Sequence, residues 1–193
     1  TVGGDHSVSF GAIAAHTKRH DNLSILHLDA HADLRNAYEG FTHSHASIFH
    51  NVMTKLDVRR LVQVGIRDFG QAELRFQNDH ADRLVCFFDS DMAQRRMVGE
   101  AWSVECSRIV DSLTDKVYIS FDIDGLDPVL CPNTGTPVPG GLSFHQMQFL
   151  LSSLVRSGRR IIGFDLTEVA PGSNEHDDWD GNVGARVLWK LIG

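Results

Sequence analysis

Five short apolar runs alternate with helical patterns along this chain, and that alternation limits its fold more than any other feature. Each run has the length of a buried strand, and the runs cover residues 23–28, 61–66, 83–88, 117–122 and 160–166. Apolar residues recur at helical spacing after Ser143, a plausible N-cap, and in residues 8–20, 102–113 and 183–191. The alternation indicates βα units and therefore predicts an α/β fold with a mostly parallel sheet.

The length of the chain bounds its domain organisation. A chain of 193 residues is long enough for one domain with a substantial core. Two segments are predicted as loops, because residues 133–142 are rich in Gly and Pro and residues 171–181 are polar and acidic. Neither segment resembles an interdomain linker and no repeat is present, so we predict a single domain over residues 1–193.

Six residues of the kinds that bind metal ions stand in three short clusters. They are His6 alone, the trio Asp29, His31 and Asp33, and the pair Asp122 and Asp124. The trio follows the first apolar run, and the pair ends the fourth. Residues two positions apart in an extended segment point to the same side. Open parallel sheets carry their sites beyond the carboxyl ends of strands, which is where both aspartate clusters fall.

The residue types in these clusters predict a cation and a reaction. Two imidazoles and four carboxylates, with no thiolate, suit two divalent cations that share oxygen ligands. Mn²⁺ fits best, and Zn²⁺, Co²⁺ and Fe²⁺ remain alternatives. Such a pair makes hydroxide near neutral pH, so the pattern predicts metal-assisted hydrolysis. The alternative interpretation is that these are ordinary polar residues of strand-to-loop turns, with the aspartates capping helices.

Composition excludes several classes of function. The formal net charge is −7, and no basic stripe is present, so we expect no nucleic-acid partner. No apolar run approaches the roughly 20 residues that span a bilayer, and no secretory leader is visible. The three scattered cysteines favour reduced thiols and a cytoplasmic location. An acidic cleft would favour a small cationic substrate.

The three clusters resemble the signature segments of one known family. Residues 3–7 (Gly-Gly-Asp-His-Ser), 29–33 (Asp-Ala-His-Ala-Asp) and 120–128 (Ser-Phe-Asp-Ile-Asp-Gly-Leu-Asp-Pro) are similar to those of the ureohydrolases, the arginase and agmatinase family. The resemblance runs from Gly3 to Gly193. It implies a three-layer α/β/α sandwich, a catalytic domain with two Mn²⁺, and a homo-oligomer.

The resemblance also implies a sheet with an N-terminal segment that this chain lacks. The chain begins at Thr1, without a methionine, and only two residues precede Gly3. We therefore expect it to be the C-terminal part of a longer protein.

The same resemblance divides the six candidate ligands into two sets with two bridging aspartates, Asp29 and Asp122. The first set is His6, Asp29, Asp33 and Asp122, and the second is His31, Asp29, Asp122 and Asp124. The reaction that it implies is attack of a metal-bridging hydroxide on a guanidino carbon, which releases urea and an amine.

Two further residues match positions that matter in the family. His45 corresponds to a histidine that shuttles protons near the leaving group, although His43 is a rival and a helix-start role is an alternative. Glu168 corresponds to a carboxylate that pairs with the substrate guanidinium, and an ordinary strand-end acid is the alternative. Asp33 would pass a proton to the departing amine.

Two loops indicate the branch of the family. Residues 34–47 and 134–143 look like agmatinase loops, so we predict an agmatinase-like enzyme of polyamine metabolism. Arg35 either pairs with a substrate carboxylate, which would favour a guanidino acid, or braces its loop. Hydrolysis of a formimino group and a non-catalytic ureohydrolase-like protein remain alternatives. His27 is interpreted as a core histidine or one that supports the ligands, and Asp127 as a turn residue.

Overall fold

The computed structural model describes residues 3–172, 174 and 176–193, and the helices and strands below belong to that part. The strands are β1 (Leu23–Leu28), β2 (Arg60–Ile66), β3 (Leu84–Phe88), β4 (Lys116–Asp122) and β5 (Arg160–Thr167). The helices are α1 (Ser9–Thr17), α2 (Ile48–Lys55), α3 (Gln71–Asp79), α4 (Asp89–Met97), α5 (Trp102–Asp111), α6 (Phe144–Arg156) and α7 (Trp179–Ile192). Short 3₁₀ turns lie at His6–Val8, His45–Ser47 and Ile123–Gly125.

The five strands form one parallel sheet in the order β3-β2-β1-β4-β5. The chain runs outward from β1 to β3 and then returns to the other side of β1 to form β4 and β5. The direction of winding therefore changes between β1 and β4. In open parallel sheets, ligands bind in the crevice at that change, beyond the carboxyl ends of the strands.

Helices cover both faces of the sheet, which gives three layers. One core cluster joins β1 and β2 to α1 and α2 through buried side chains such as Ile25 and Phe49. The other joins the opposite face to α5, α6 and α7, with Leu26 and Leu150 among its members. Ile25 and Leu26 point to opposite faces because side chains alternate along a strand. By the same alternation, His27 lies on the face of Ile25.

The predicted strands are confirmed, each within one residue at either end. Ser143 caps α6 as predicted: its Oγ accepts a hydrogen bond from Gln146 N, and Gln146 Oε1 accepts one from Ser143 N. The observed α1 is shorter than the predicted helix over residues 8–20. None of the described helices is long and apolar enough to cross a membrane.

The predicted loop over residues 171–181 is wrong at its end, because α7 already begins at Trp179. Ser173 and Glu175, which belong to the same prediction, lie outside the described residues, as do Thr1 and Val2. The acid that suggested a loop has a structural role, since Asp180 is buried and accepts hydrogen bonds from Asn133 N and Nδ2. An acid in the first turn also interacts favourably with the helix dipole.

Candidate metal centre

All six predicted ligand residues meet at the carboxyl edge of the sheet, next to the change of winding between β1 and β4. Asp29, His31 and Asp33 follow β1, Asp122 ends β4, and Asp124 lies in the 3₁₀ turn after it. His6 begins the turn that precedes α1. Backbone hydrogen bonds from Gly3 N to Leu166 O and from Glu168 N to Gly4 O hold that segment against the end of β5.

The first ligand set surrounds the Nδ1 atom of His6. This atom lies 3.1 Å from Asp29 Oδ2, 3.3 Å from Asp33 Oδ2 and 3.2 Å from Asp122 Oδ2. The angles fit no hydrogen bond, so among the described residues Nδ1 is a buried nitrogen without a hydrogen-bond partner. One nitrogen and three carboxylate oxygens that converge in this way form a suitable donor set for a divalent cation.

The second ligand set lies around His31. The Nδ1 atom of His31 is 3.0 Å from Asp124 Oδ2 and 3.4 Å from Asp29 Oδ1. Donor atoms of Asp29, His31 and Asp124 come within 4.8 Å of one another, close enough for one cation. Asp124 is fixed from behind, because its Oδ1 accepts a hydrogen bond from Ala30 N.

Asp29 is common to both sets. Its Oδ2 faces His6 and its Oδ1 faces His31, so one carboxylate can join two cations. Asp122 reaches the first set through Oδ2, whereas its Oδ1 accepts a hydrogen bond from Asp124 N. A bridging role for Asp122 therefore stays a prediction.

The other ring nitrogen of His6 is held by a buried hydrogen-bond chain. His6 Nε2 lies 2.9 Å from Ser120 Oγ, and Ser120 Oγ donates to Asp165 Oδ1 at 2.8 Å. Because the serine proton goes to Asp165, Ser120 Oγ accepts from His6 Nε2–H. In the neutral ring, the lone pair of Nδ1 then points at the three carboxylates, as expected of a metal-binding histidine.

The buried carboxylates disfavour one another's charge. Burial and the charge of Asp29 raise the pKa of Asp33 to about 7. Burial, together with Asp29 and Asp124, also raises the pKa of Asp122 well above its usual range. In the described part of the chain, no Lys or Arg forms an ion pair with these acids, and their cationic partners are histidines. Bound cations would offset the repulsion between these carboxylates.

The same carboxylates also shift the pKa of the two ligand histidines, His6 and His31. Burial lowers the pKa of His31, but Asp124 and Asp29 outweigh it and raise that pKa to about 11. Burial lowers the pKa of His6 too, and the carboxylates of Asp122, Asp29 and Asp33 raise it by more. Protons on these rings stand in for the positive charge that a cation would supply, and a cation displaces them on binding.

Two site residues have a strained backbone. Asp33 has φ 54° and Glu168 has φ 61°, in the left-handed backbone region that residues other than glycine rarely adopt. Strain of this kind costs about 1–3 kcal/mol per residue and is concentrated at functional sites. Both residues border the space above the ligand sets.

That space is a cavity of about 120 Å³. His6, His31, Asp33 and Asp122 line its floor, and its walls include His45, Glu168, Arg35, Tyr38, Asp68, Glu73 and Thr136. His45 begins the 3₁₀ turn His45–Ser47. His43 does not line the cavity and lies instead 3.4 Å from Lys55 Nζ. The placement therefore favours His45 over His43.

The comparisons with known proteins agree with this geometry. The arginase family model matches residues 1–193. An N(1)-aminopropylagmatine ureohydrolase of Thermus thermophilus is 36% identical over 192 residues, which cover all of this chain and 60% of that protein. The chain belongs to the arginase family. The resemblance that the sequence suggested is thereby confirmed.

Two more relatives extend the comparison. A guanidinobutyrase of Pseudomonas aeruginosa is 31% identical over 204 residues, with 100% of this chain and 59% of that protein covered. The solved arginase of Medicago truncatula superposes with a TM-score of 0.82 at 31% identity, over 98% of this chain and 57% of that one. The predicted arginase-like sandwich is confirmed, and the chain spans about 60% of the length of the curated relatives named here.

Three interpretations of single residues in this arginase-family chain can be compared with the structure. His27 is fully buried, and its Nε2 lies 2.7 Å from Asp29 Oδ2, which agrees with a supporting role. Asp127 is a turn residue, because its Oδ1 accepts from Val129 N. Arg35 braces its loop, since its Nε lies 3.6 Å from Glu73 Oε2, and Arg35 is also one of the residues that line the cavity.

Sequence reasoning missed four residues that support the site. Ser120 begins the third signature segment and Asp165 lies in a predicted strand, but the sequence assigned no role to either side chain, although they hold His6. Gln63 is a fully buried amide in β2, and a polar residue inside the apolar run 61–66 was a signal that could have found it. Arg67 donates hydrogen bonds to the carbonyls of residues 65, 124, 126 and 138 and so ties the Gly-rich loop to the ligand turn.

Proposed function

We propose that this protein is a metal-dependent amidinohydrolase that cleaves a guanidino C–N bond and releases urea and an amine. The observation that carries the proposal is the pair of ligand sets that share Asp29 and open into one cavity with Glu168 and His45. The family assignment supports the same reaction class.

The donor set supports two Mn²⁺ per chain as the cofactor. His6, Asp29, Asp33 and Asp122 would hold one cation, and His31, Asp29 and Asp124 the other, with Asp122 proposed as a second bridge. Oxygen and imidazole donors without thiolates suit Mn²⁺, with Zn²⁺, Co²⁺ and Fe²⁺ less favoured. When bound, such a pair of cations lowers the pKa of water and polarises the group under attack.

Glu168 would hold the substrate. Its Oε1 accepts a hydrogen bond from His6 N at 2.9 Å, and among the described residues its Oε2 has no hydrogen-bond partner. Burial raises the pKa of Glu168, which means that the ionised carboxylate is disfavoured without a cationic partner. A bound guanidinium would therefore stabilise it. A guanidinium donates in parallel to a carboxylate, which would hold the guanidino carbon above the floor of the cavity.

Asp33 and His45 would move the protons. Overall, one water adds across the C–N bond: its oxygen becomes the urea oxygen, and the departing nitrogen leaves as an amine. Asp33, which lines the cavity, would pass a proton to that nitrogen. His45, on the wall beside Tyr38 with ring centroids 5.5 Å apart, would exchange protons with solvent.

The acidic wall favours a cationic tail on the substrate, as in agmatine or a longer polyamine. Asp68 lines the cavity with a side chain that is 62% exposed, whereas both oxygens of Glu73 already accept backbone hydrogen bonds. A relative named for aminopropylagmatine supports the cationic tail. Arg35 favours a second candidate, a guanidino acid, because this arginine also lines the cavity and a guanidinobutyrase is among the relatives. A cytoplasmic homo-oligomer active in polyamine metabolism completes the proposal.

A urea-release assay on the Mn²⁺-loaded protein tests the proposal. The substrates are agmatine, aminopropylagmatine, 4-guanidinobutyrate and arginine, and the variant is Asp122→Ala, which should lose both metal and urea release. Asp111→Asn is the matched control, because Asp111 is a surface acid whose nearest ion-pair partner is 4.0 Å away. Two bound Mn²⁺ with no urea from any of these substrates would refute the reaction. Less than one bound metal per chain would support a non-catalytic protein.

A further inference from the structure

We propose that Gln63 and His27 form a positioning pair that fixes the carboxylate of Asp29 between the two cations. The proposal rests on the metal centre proposed above and assigns a role to two buried residues outside the ligand sets. His27 lies on β1 and Gln63 on β2, and the two are register partners in the sheet. Both residues have 0% exposure. Gln63 Nε2 and both ring nitrogens of His27 have hydrogen-bond partners, whereas Gln63 Oε1 has none among the described residues.

The orientation of the Gln63 amide is fixed by a backbone carbonyl. Gln63 Nε2 donates to Ala32 O at 2.7 Å. A carbonyl oxygen only accepts hydrogen bonds, so the atom facing Ala32 is the amide nitrogen and not the amide oxygen. That nitrogen also lies 3.0 Å from His27 Nδ1, to which its second hydrogen points.

The amide then determines the tautomer of His27. Because Nδ1 accepts a hydrogen bond from Gln63, it carries no proton, and the proton of the neutral ring lies on Nε2. His27 Nε2–H therefore donates to Asp29 Oδ2, 2.7 Å away. The ring is also packed in place, with its centroid 3.9 Å from that of Phe49 and 5.2 Å from that of His6.

Asp29 is thus held by one donor at each oxygen. His27 Nε2–H donates to Oδ2, and the backbone N–H of His31 donates to Oδ1 at 2.6 Å. Each carboxylate oxygen has a second lone pair, which remains for a cation. The two donors set the plane of the one carboxylate that both ligand sets share, so removing one of them should weaken both cation sites.

A competing role for His27 is direct metal binding, because its ring nitrogen lies within 4.8 Å of donor atoms of His6, Asp29 and Asp33. The proton that the Gln63 contact places on Nε2 argues against this role, since a metal ligand must offer a lone pair. The variant His27→Gln keeps a donor hydrogen but removes the ring. The positioning role predicts that this variant retains most of the Mn²⁺ affinity, and direct metal binding predicts that it loses it.

The first experiment measures the tautomer directly, by long-range ¹H–¹⁵N correlation of the histidine rings in the metal-free protein. We expect His27 to show an unprotonated Nδ1 and a protonated Nε2, and Gln63→Leu to change the Nδ1 chemical shift, because Nδ1 loses its hydrogen-bond donor while Asp29 still accepts from Nε2–H. An unchanged Nδ1 shift in Gln63→Leu would refute the Gln63–His27 contact. An Nδ1-protonated or doubly protonated His27 in the wild type would overturn the proposal. This measurement needs neither metal nor activity.

The second experiment measures Mn²⁺ affinity by calorimetry for two variants of His27. His27→Phe removes the donor, and we expect it to weaken Mn²⁺ binding at both sites about 10–100-fold, the usual effect of losing a residue that supports a metal ligand. His27→Gln places an amide N–H near the former Nε2 and should restore most of the affinity. His50→Phe is the matched control, because His50 is a partly buried histidine of α2 that packs on Phe76, away from the cavity.

The possible results separate the two proposals. A folded His27→Phe protein with wild-type affinity at both sites would refute the positioning role. Failure of His27→Gln to restore affinity would favour direct metal binding by the ring and would also refute it. A wild-type protein that binds no Mn²⁺ would refute the proposed function, while the tautomer would still decide the Gln63–His27 contact. If His27→Phe does not fold, the tautomer measurement alone decides.

Discussion

Replacing Asp33 by Asn should stabilise the metal-free protein near pH 8. Asp33 is 5% exposed, and burial together with the charge of Asp29 raises the pKa of its carboxyl group from 3.8 to about 7. At 1.36 kcal/mol per pKa unit, ionising this group in the folded state costs roughly 4 kcal/mol more than in the unfolded chain. Asn keeps the shape of the side chain and tolerates the left-handed backbone at this position.

The sign of this effect fixes its pH dependence. Between pH 3.8 and about 7, the folded state binds more protons at Asp33 than the unfolded state does. The free energy of unfolding of the wild type therefore falls through this group as the pH rises across that window, and it levels off above it. The advantage of Asp33→Asn should be near zero at the acid end and largest above pH 7.

Urea denaturation in the presence of a chelator, at a series of pH values from 5 to 8, measures this difference. Asp111→Asn controls for the loss of a surface charge, since Asp111 is 79% exposed in its side chain. Added Mn²⁺ should reverse the order, because the wild type gains binding free energy that Asp33→Asn lacks. The reasoning is refuted if the metal-free variant is less stable than the wild type at pH 8, or if the difference does not change with pH.

Three further changes test other parts of the site. Gly125→Ala would put a Cβ 2.7 Å from the backbone N of Asp29, so we expect a loss of about 1–3 kcal/mol in the unfolding free energy; an unchanged urea midpoint would contradict this close contact. Glu73→Ala leaves the N–H of Leu34 and that of the α3 N-cap without their acceptor, and should cost about 1–3 kcal/mol by thermal denaturation, whereas Glu73→Gln should cost less. His45→Ala should keep wild-type Mn²⁺ affinity but lower kcat for urea release about 10²–10⁴-fold; a lost affinity instead would make His45 a ligand rather than a proton carrier.

The strands could be predicted from the sequence because each has a local signal. Runs such as residues 23–28 and 117–122 are mostly apolar and are buried along their whole length, as expected of parallel strands covered on both faces. The helices α2, α3 and α4 were not predicted, since few residues of α3 and α4 are apolar and α2 has only eight residues. The order of the strands could not be predicted from the sequence either, because it depends on pairings between distant segments rather than on any local pattern.

The candidate ligands could be predicted because their spacing follows strand geometry, but the atoms that support them could not. Ser120 meets His6 across 114 residues of chain, and Gln63 meets His27 across 36. Such contacts can be predicted only when the register of β1 against β2 and β4 is known. A buried polar residue in an apolar run is the one local sign of them, and it indicates that a partner exists without indicating which.

Charge balance links the stability of this fold to its proposed metals. The four aspartates of the ligand sets carry four negative charges when ionised, and two divalent cations would match them with both imidazoles neutral. Without cations, protons on His6 and His31 and the raised pKa of Asp33 and Asp122 supply only part of that compensation. The strained backbone at Asp33 and Glu168 adds a further cost that the packed sheet must offset. A site that opposes folding when empty and favours it when filled makes unfolding free energy a direct measure of metal binding, and it should rise with the logarithm of the Mn²⁺ concentration once the sites begin to fill.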